Sequence, residues 1–371
     1  MNFAFSPEQE EFRRSLRRFL ADKSPAAEVR RLMETGSGYD PQVWKQLADQ
    51  LGLQGLAIPE EYGGAGATPV ELGIAFEEMG RVLLCAPFFS TVGLAAQALL
   101  AAGDEHAKRE YLPRIADGSL LATVAVTEAD GRWDLAAVRT SAAADSGVPA
   151  MFLLDGTKMF VVDGHIAQVL LVVARTDGGL GLFAVDASDA GVVRTPLQTL
   201  DMTRKLARVE LRRVPARLVS GPGDATAALS RALDLALVAL TAEQVGGAQR
   251  CLDMAVDYAK VRMQFGRPIG SFQAIKHKCA EMLLEVESAK SAAYHAAGSA
   301  PDELGVAAAV AKAYCSEAYF HVAAETIQVH GGIGFTWEHD AHLYFRRAKS
   351  SQLFLGDEHY HWARVADLTG V

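Results

Sequence analysis

The chain has 371 residues, half of them apolar, with 45 acidic against 36 basic side chains and a formal charge of -9. That length and apolar share supply more than one core, and the acidic balance argues against a nucleic-acid binder, which needs a basic face to track phosphates. No uncharged apolar run reaches about 18 residues, and "MNFAFSPEQEEFRRSLRRFL", charged from Glu8 onward, lacks a signal-peptide core. A soluble, cytoplasmic protein without a membrane or nucleic-acid partner is expected.

Residues 1 to 118 read as an N-terminal helical domain. Ser6-Pro7-Glu8-Gln9 combines an N-cap, a first-turn proline and a polar residue at the third helical position; Thr68-Pro69-Val70-Glu71 repeats that grammar, and Asp40-Pro41 is a weaker version. The Gly-rich "PEEYGGAG" between them lacks the spacing of a phosphate-binding loop and reads as a turn.

From 119 to 222 the pattern becomes short β-branched runs broken by Gly, Asp and Pro: "LLATVAVTE", "AMFLLDGTKMFVVDG", "QVLLVVART", "GLFAVD" and "ARVELRRVP". No helical patterns separate them, so a small antiparallel barrel or sandwich is predicted rather than a parallel sheet. From 223 to 371 long periodic segments return and fit an antiparallel helical bundle. Cys85, Cys251, Cys279 and Cys315 stand singly in helix-like contexts with no CxxC pair, as reduced core thiols do.

This order of domains, with "RMQFGRPIGSFQ" at 262–273, closely resembles the acyl-CoA dehydrogenase family. "AVTEADGRWD" (125–134), "DGTKMFVVDG" (155–164) and "IQVHGGIGF" (327–335) agree in order and spacing, so the likeness covers nearly the whole chain. The resemblance implies an α+β, acyl-CoA dehydrogenase-like fold: an N-terminal helical domain, a middle antiparallel β-barrel or sandwich, and a C-terminal four-helix bundle. It also implies α,β-dehydrogenation of an acyl-CoA thioester with FAD, in fatty-acid or sterol side-chain β-oxidation, with electrons passed to an electron-transferring flavoprotein. The reaction needs a carboxylate base beside the acyl chain.

In the family FAD lies across a subunit interface, so each chain lends half of a neighbour's site. By resemblance the lent half is Arg262 at the pyrophosphate, Phe265 against the cofactor, Gln273 at the interface, and Gln328, Gly331 and Gly332 at the adenine and ribose end. The ring-side half keeps Thr127. Trp133 stands where a serine is usual and Val162 where a threonine is usual, so two hydroxyls are missing.

The family's aromatic, glutamate and glycine fall on Phe354, Leu355 and Gly356, with Phe354 toward substrate and Gly356 toward cofactor. Leucine cannot accept a proton. The alternative base position falls at Ala236, followed by Leu237 where an arginine is usual. Glu243 lies two helical turns further on the same face; it is either a relocated base or a buried partner for an Arg or Lys. Asp234 matches a position near the CoA end, and Asp357 lies beside the lost base. His339 and His342 are three apart, yet the family binds no metal there, and none is expected.

Four functions follow from this pattern. The first is a base-less, FAD-sharing subunit of a dimeric or tetrameric enzyme whose homologous partner supplies the glutamate. The others are a self-sufficient dehydrogenase using Glu243, a flavin oxidase or monooxygenase, and a non-catalytic scaffold. Losses confined to the ring-side half favour the first.

Overall fold

Ser6 opens the first helix as its local grammar predicts. Its hydroxyl accepts from the Gln9 amide, its own amide donates to the Gln9 side chain, and Pro7 sits in the first turn. The computed structural model describes residues 5–371 apart from Gly103, Ser146, Pro149 and Pro222. The expected boundary at residue 222 therefore lies outside the described residues.

Helices α1 (Pro7–Lys23), α2 (Ala26–Met33), α3 (Pro41–Asp49) and α4 (Pro69–Arg81) come first, then a π-helical stretch Phe89–Ala96 running into α5 (Gln97–Ala102), and α6 (Glu105–Ala116). Strands β1 (Ala122–Ala125), β2 (Ser141–Ala144), β3 (Met151–Val162), β4 (Val169–Thr176), β5 (Gly179–Asp186), β6 (Val192–Pro196) and β7 (Leu206–Leu218) follow. The chain ends with α7 (Thr226–Val261), a small hairpin of β8 (Met263–Gln264) and β9 (Arg267–Pro268), then α8 (Gln273–Ala297), α9 (Leu304–His330), α10 (Ala341–Leu353) and α11 (Glu358–Thr369). No helix among the described residues is long and apolar enough to cross a membrane.

Two compact units share these elements. One comprises Leu32–Thr68 and Cys85–Ala236, the other Met1–Arg31, Pro69–Leu84 and Leu237–Val371.

In the first of these units, β4, β2, β3, β7 and β5 close into a ring because β5 pairs with both β7 and β4; β1 and β6 add to β4 and β7. The barrel is mostly antiparallel, as expected, but β1 and β2 each meet β4 in parallel. The intervening chain makes a β-excursion instead of a helix, so the sequence carries no βαβ signature for that pairing. Every residue from Leu170 to Ala174 is wholly buried, which explains why this run is continuously apolar rather than alternating. "PEEYGGAG" is a tight turn: Gly63 and Gly66 hold φ of 81° and 64°, and a β-carbon on Gly64 would strike the Ile58 and Gly55 carbonyls.

In the other unit, α1 is fixed on α4 by buried charge. Arg13 meets Glu77 at 2.8 Å, Arg17 meets Glu78 at 2.6 Å, and the Tyr294 hydroxyl donates to Glu77 at 2.9 Å. Helices α4 and α7 cross with their backbones in contact. A β-carbon on Gly80 would collide with the Glu243 carbonyl, and one on Gly246 with the Glu77 carbonyl. The two glycines are thus reciprocal, each lying against the other helix.

Candidate flavin and acyl site

The expected lent half lies at the adjoining ends of α7, α8 and α9. The hairpin after α7 turns on Phe265 and Gly266 with φ of 51° and 76°, and Gln264 pairs with Arg267 across it. Positive φ at both central positions is the type I′ signature that favours Asn-Gly, so Phe265 holds a backbone costing about 1–2 kcal/mol. Its ring is 90% exposed and meets Phe272 edge-on at 6.2 Å, while Arg267 stacks over Phe272 at 4.1 Å. Among the described residues the edge-on Phe272 contact is its one ring contact.

Arg262 is fixed by its backbone, donating to the Tyr258 carbonyl at 2.9 Å and accepting from the Ile269 amide at 2.8 Å. Its exposed guanidinium has no ion pair or side-chain hydrogen bond among the described residues. Tyr258 stacks on His330 at 4.4 Å, which joins the end of α7 to the end of α9, where Gln328, Gly331 and Gly332 are exposed. Gly331 holds φ 66° and ψ -146°, a region open essentially to glycine. Gln273, first in α8, is also exposed. An exposed cation lacking an acid, a solvent-facing aromatic and a glycine-only turn fit a diphosphate and a nucleoside.

The ring-side residues belong to the barrel unit and fit less well. Thr127 follows β1 and is 1% exposed; its carbonyl accepts from the Met159 amide at 2.8 Å, and its hydroxyl has no partner among the described residues. Beside it the wholly buried Lys158 donates to the Val126 carbonyl and to Glu128, each at 2.9 Å, and Glu128 also accepts from the Thr140 hydroxyl at 2.7 Å. Burial pushes Lys158 down to about 8. Burial pushes Glu128 the other way, but the Thr140 hydrogen bonds and the Lys158 charge outweigh it and hold the acid at about 2. Val162 is buried at the end of β3, its carbonyl taken by the Thr123 hydroxyl at 2.7 Å, and offers only methyl groups. Trp133 is half-buried. One orphan hydroxyl remains here, and a single hydroxyl is a poor fit to a flavin ring that needs several donors.

The turn after α10 carries Phe354, Leu355 and Gly356, all buried. Leu355 has φ 60° and Gly356 φ 97°, and a β-carbon at Gly356 would strike the Tyr360 ring. Two buried groups lock it from below, Lys312, which the motif reading did not single out, and His361 of "HYHW". Lys312, in mid-α9, donates to the Gly356 carbonyl at 2.9 Å, the Gln352 carbonyl at 3.0 Å and the Ser316 hydroxyl at 2.9 Å. His361 Nε2 donates to the Leu355 carbonyl at 2.8 Å. Burial pushes Lys312 down to about 7, and burial followed by the Lys312 charge pushes His361 down to about 4. A lone lysine in the alanine-rich "AAAVAKAYC" was the available signal. Asp357 caps α11 by accepting from the Tyr360 amide at 2.9 Å.

Glu243 is buried and meets Arg347 of α10 at 2.9 Å, the buried-partner alternative of the sequence reading. Ala236 is wholly buried, and Asp234, one turn before Leu237, is buried in the barrel unit. His339 meets His330 at 4.3 Å with the rings tilted by 50°, whereas His342 meets Trp337 edge-on at 4.6 Å.

Family models for the acyl-CoA dehydrogenase N-terminal, middle and C-terminal domains match residues 6–119, 123–214 and 225–368. Acyl-CoA dehydrogenase IpdE2 of Mycolicibacterium smegmatis is 36% identical over 351 residues, covering 95% of each chain. A variant of the Tcur3481-Tcur3483 steroid ACAD superposes with TM-score 0.88 at 35% identity over 98% of each chain. A chain of the ChsE4-ChsE5 complex from Mycobacterium tuberculosis gives 0.90 at 28% identity, over 100% of this chain and 99% of that one. Three matched domains in order, an identity above a third over nearly the full length, and the predicted helical, barrel and helical architecture place the chain in the acyl-CoA dehydrogenase family of FAD-dependent oxidoreductases.

Proposed function

We propose that this chain is the base-less, FAD-sharing subunit of a hetero-oligomeric acyl-CoA dehydrogenase. One contrast carries the reading: the position of the base holds a buried leucine in a locked turn, while Arg262 stands exposed with no acid paired to it among the described residues. When bound, FAD accepts the hydride that leaves the acyl chain. This chain's part is to lend Arg262 to the diphosphate, Phe265 to the cofactor's flank and the Gly331–Gly332 backbone to its nucleoside end, with Gln273 and Gln328 beside them. Thr127 and Gly356 would serve a ring only if one were bound in this chain's own half.

The homologous partner supplies the ring-side hydroxyls and the glutamate that takes the α-proton. The relocated-base reading is weakened by Arg347, which already occupies Glu243. Two of the solved relatives carry two-component names, and one is called a steroid ACAD, which supports a mixed assembly acting on a bulky CoA ester. Asp234 and Phe354 are the residues we assign to that ester, and an electron-transferring flavoprotein is the inferred acceptor. Domain limits near residues 118 and 222 are supported by the three matched family segments.

The test is bound FAD and acyl-CoA turnover for the chain purified alone and co-purified with a homologue from the same genome that retains the glutamate. Little flavin and no turnover alone, with both gained on assembly, is expected. Turnover at ordinary family rates by the homogeneous chain overturns the proposal.

A further inference from the structure

The unit built from α1, α4 and the C-terminal helices contains a cavity of about 240 Å³. It lies among the end of α1, the start of α2, the end of α4, the middle of α7 and the start of α10, and no residue assigned above to flavin, base or ester lines it. Leu20, Val29, Val82, Met254 and Leu343 give it apolar walls.

The charges around it do not balance. Of the five charged lining residues, Arg17 is paired with Glu78 at 2.6 Å, Arg81 with Asp253 at 2.7 Å, and Asp340 with Arg30 at 2.8 Å. Arg250 has no carboxylate partner among the described residues. The hydroxyl of Tyr344, which also lines the cavity, has committed its proton to the Arg81 carbonyl at 2.7 Å and accepts from Arg250, a neutral partner that leaves the guanidinium charge unbalanced. A half-buried arginine lining a hollow of mixed polar and apolar walls is an arrangement that a carboxylate on an apolar body completes, because the planar fork binds both oxygens and the apolar walls take the rest.

We propose that this cavity binds an organic monocarboxylate, with Arg250 as the partner of its carboxylate. One unmatched cation selects one negative charge; a CoA or nucleotide brings several. Since an apolar cavity of about 150 Å³ accepts benzene, this one accommodates roughly ten non-hydrogen atoms, the size of a medium-chain free acid. The site is independent of the shared-subunit reading and stands or falls without it.

Octanoate is the probe, titrated calorimetrically into the full-length chain beside octan-1-ol. Saturable binding of one octanoate is expected, weakened about tenfold or more by Arg250→Met, since a charge-assisted bidentate contact is lost. Ala26→Phe, at the exposed rim, blocks the entrance without touching a buried contact and is expected to abolish binding; Arg262→Ala leaves it unchanged. Circular dichroism and the unfolding midpoint confirm that each variant is folded. Absence of saturable binding, equal binding of the alcohol, or full binding in either the Arg250 or the Ala26 variant overturns the assignment.

Discussion

Arg347 Nη1 lies 2.9 Å from Glu243 Oε1, and the two side chains are 4% and 8% exposed. Removing one member of such a pair leaves the other charge buried without its counter-charge, at a cost of about 3–5 kcal/mol. Glu243→Gln is therefore expected to lower the denaturant midpoint strongly, while Glu243→Leu combined with Arg347→Met recovers much of the loss. If Glu243→Gln leaves the midpoint unchanged but removes turnover from the assembled enzyme, the carboxylate is a base after all.

Arg262→Ala should lower FAD per assembled complex without unfolding this subunit, because it deletes charge-assisted hydrogen bonds to a diphosphate and leaves the core intact. Val162→Thr, in this chain's own ring-side half, should change FAD content little. Flavin absorbance per complex for each variant is the measurement; a large gain with Val162→Thr would mean the halves are assigned to the wrong chains.

Phe265→Asn relieves a left-handed backbone at the first position of a turn that prefers Asn-Gly. The isolated chain should gain about 1 kcal/mol of stability, and the assembled complex should lose FAD. No gain in the isolated chain would show that the exposed ring is held by contacts worth as much as the strain.

The turn at Leu355 should make stability depend on pH in two windows. His361 is neutral when folded down to about 4, against 6.5 for a free imidazole, so the unfolded chain binds more protons between those values. Its contribution is fully present above 6.5 and lost as pH falls toward 4, of order 3 kcal/mol in total. Lys312 behaves alike at higher pH: its folded value of about 7 lies below 10.5, so stability rises from pH 7 toward 10.5 as the unfolded amine gives up its proton. Denaturant midpoints for wild type, His361→Gln and Lys312→Met across pH 4.5 to 9.5 check both: His361→Gln should flatten the lower window, and Lys312→Met should flatten the upper one and narrow the lower, because its charge helps hold His361 down.

Local signals carried the helices well. The Ser6 box and the Asp40 cap form as spelled, and the long periodic segments became α7, α8 and α9. Two strands gave no such signal. β2 is "SAAA", with no β-branched residue, and β6 is a five-residue edge strand ending at Pro196, which only the pairing with β7 defines. A leucine in place of a carboxylate is read from one residue, Leu355, whose buried turn the sequence did not announce. The site was not legible where a contact joins distant positions: Arg347 is 104 residues from Glu243, and no spacing rule connects Lys312 to the carbonyl of Gly356.

The glycine crossing of α4 and α7 bears on how the protein is made. Gly80 leaves the ribosome long before Gly246 exists, an interval of roughly 10 to 30 s at typical elongation rates. Until then α1 and α4 can hold each other through Arg13, Arg17, Glu77 and Glu78, but their remaining apolar surface has no groove to enter. Nascent chains stalled before the middle of α7 should leave α1 and α4 open to protease, whereas full-length chains should protect them. The unit made of α1, α4 and the C-terminal helices is therefore assembled only late, once the middle of α7 has emerged.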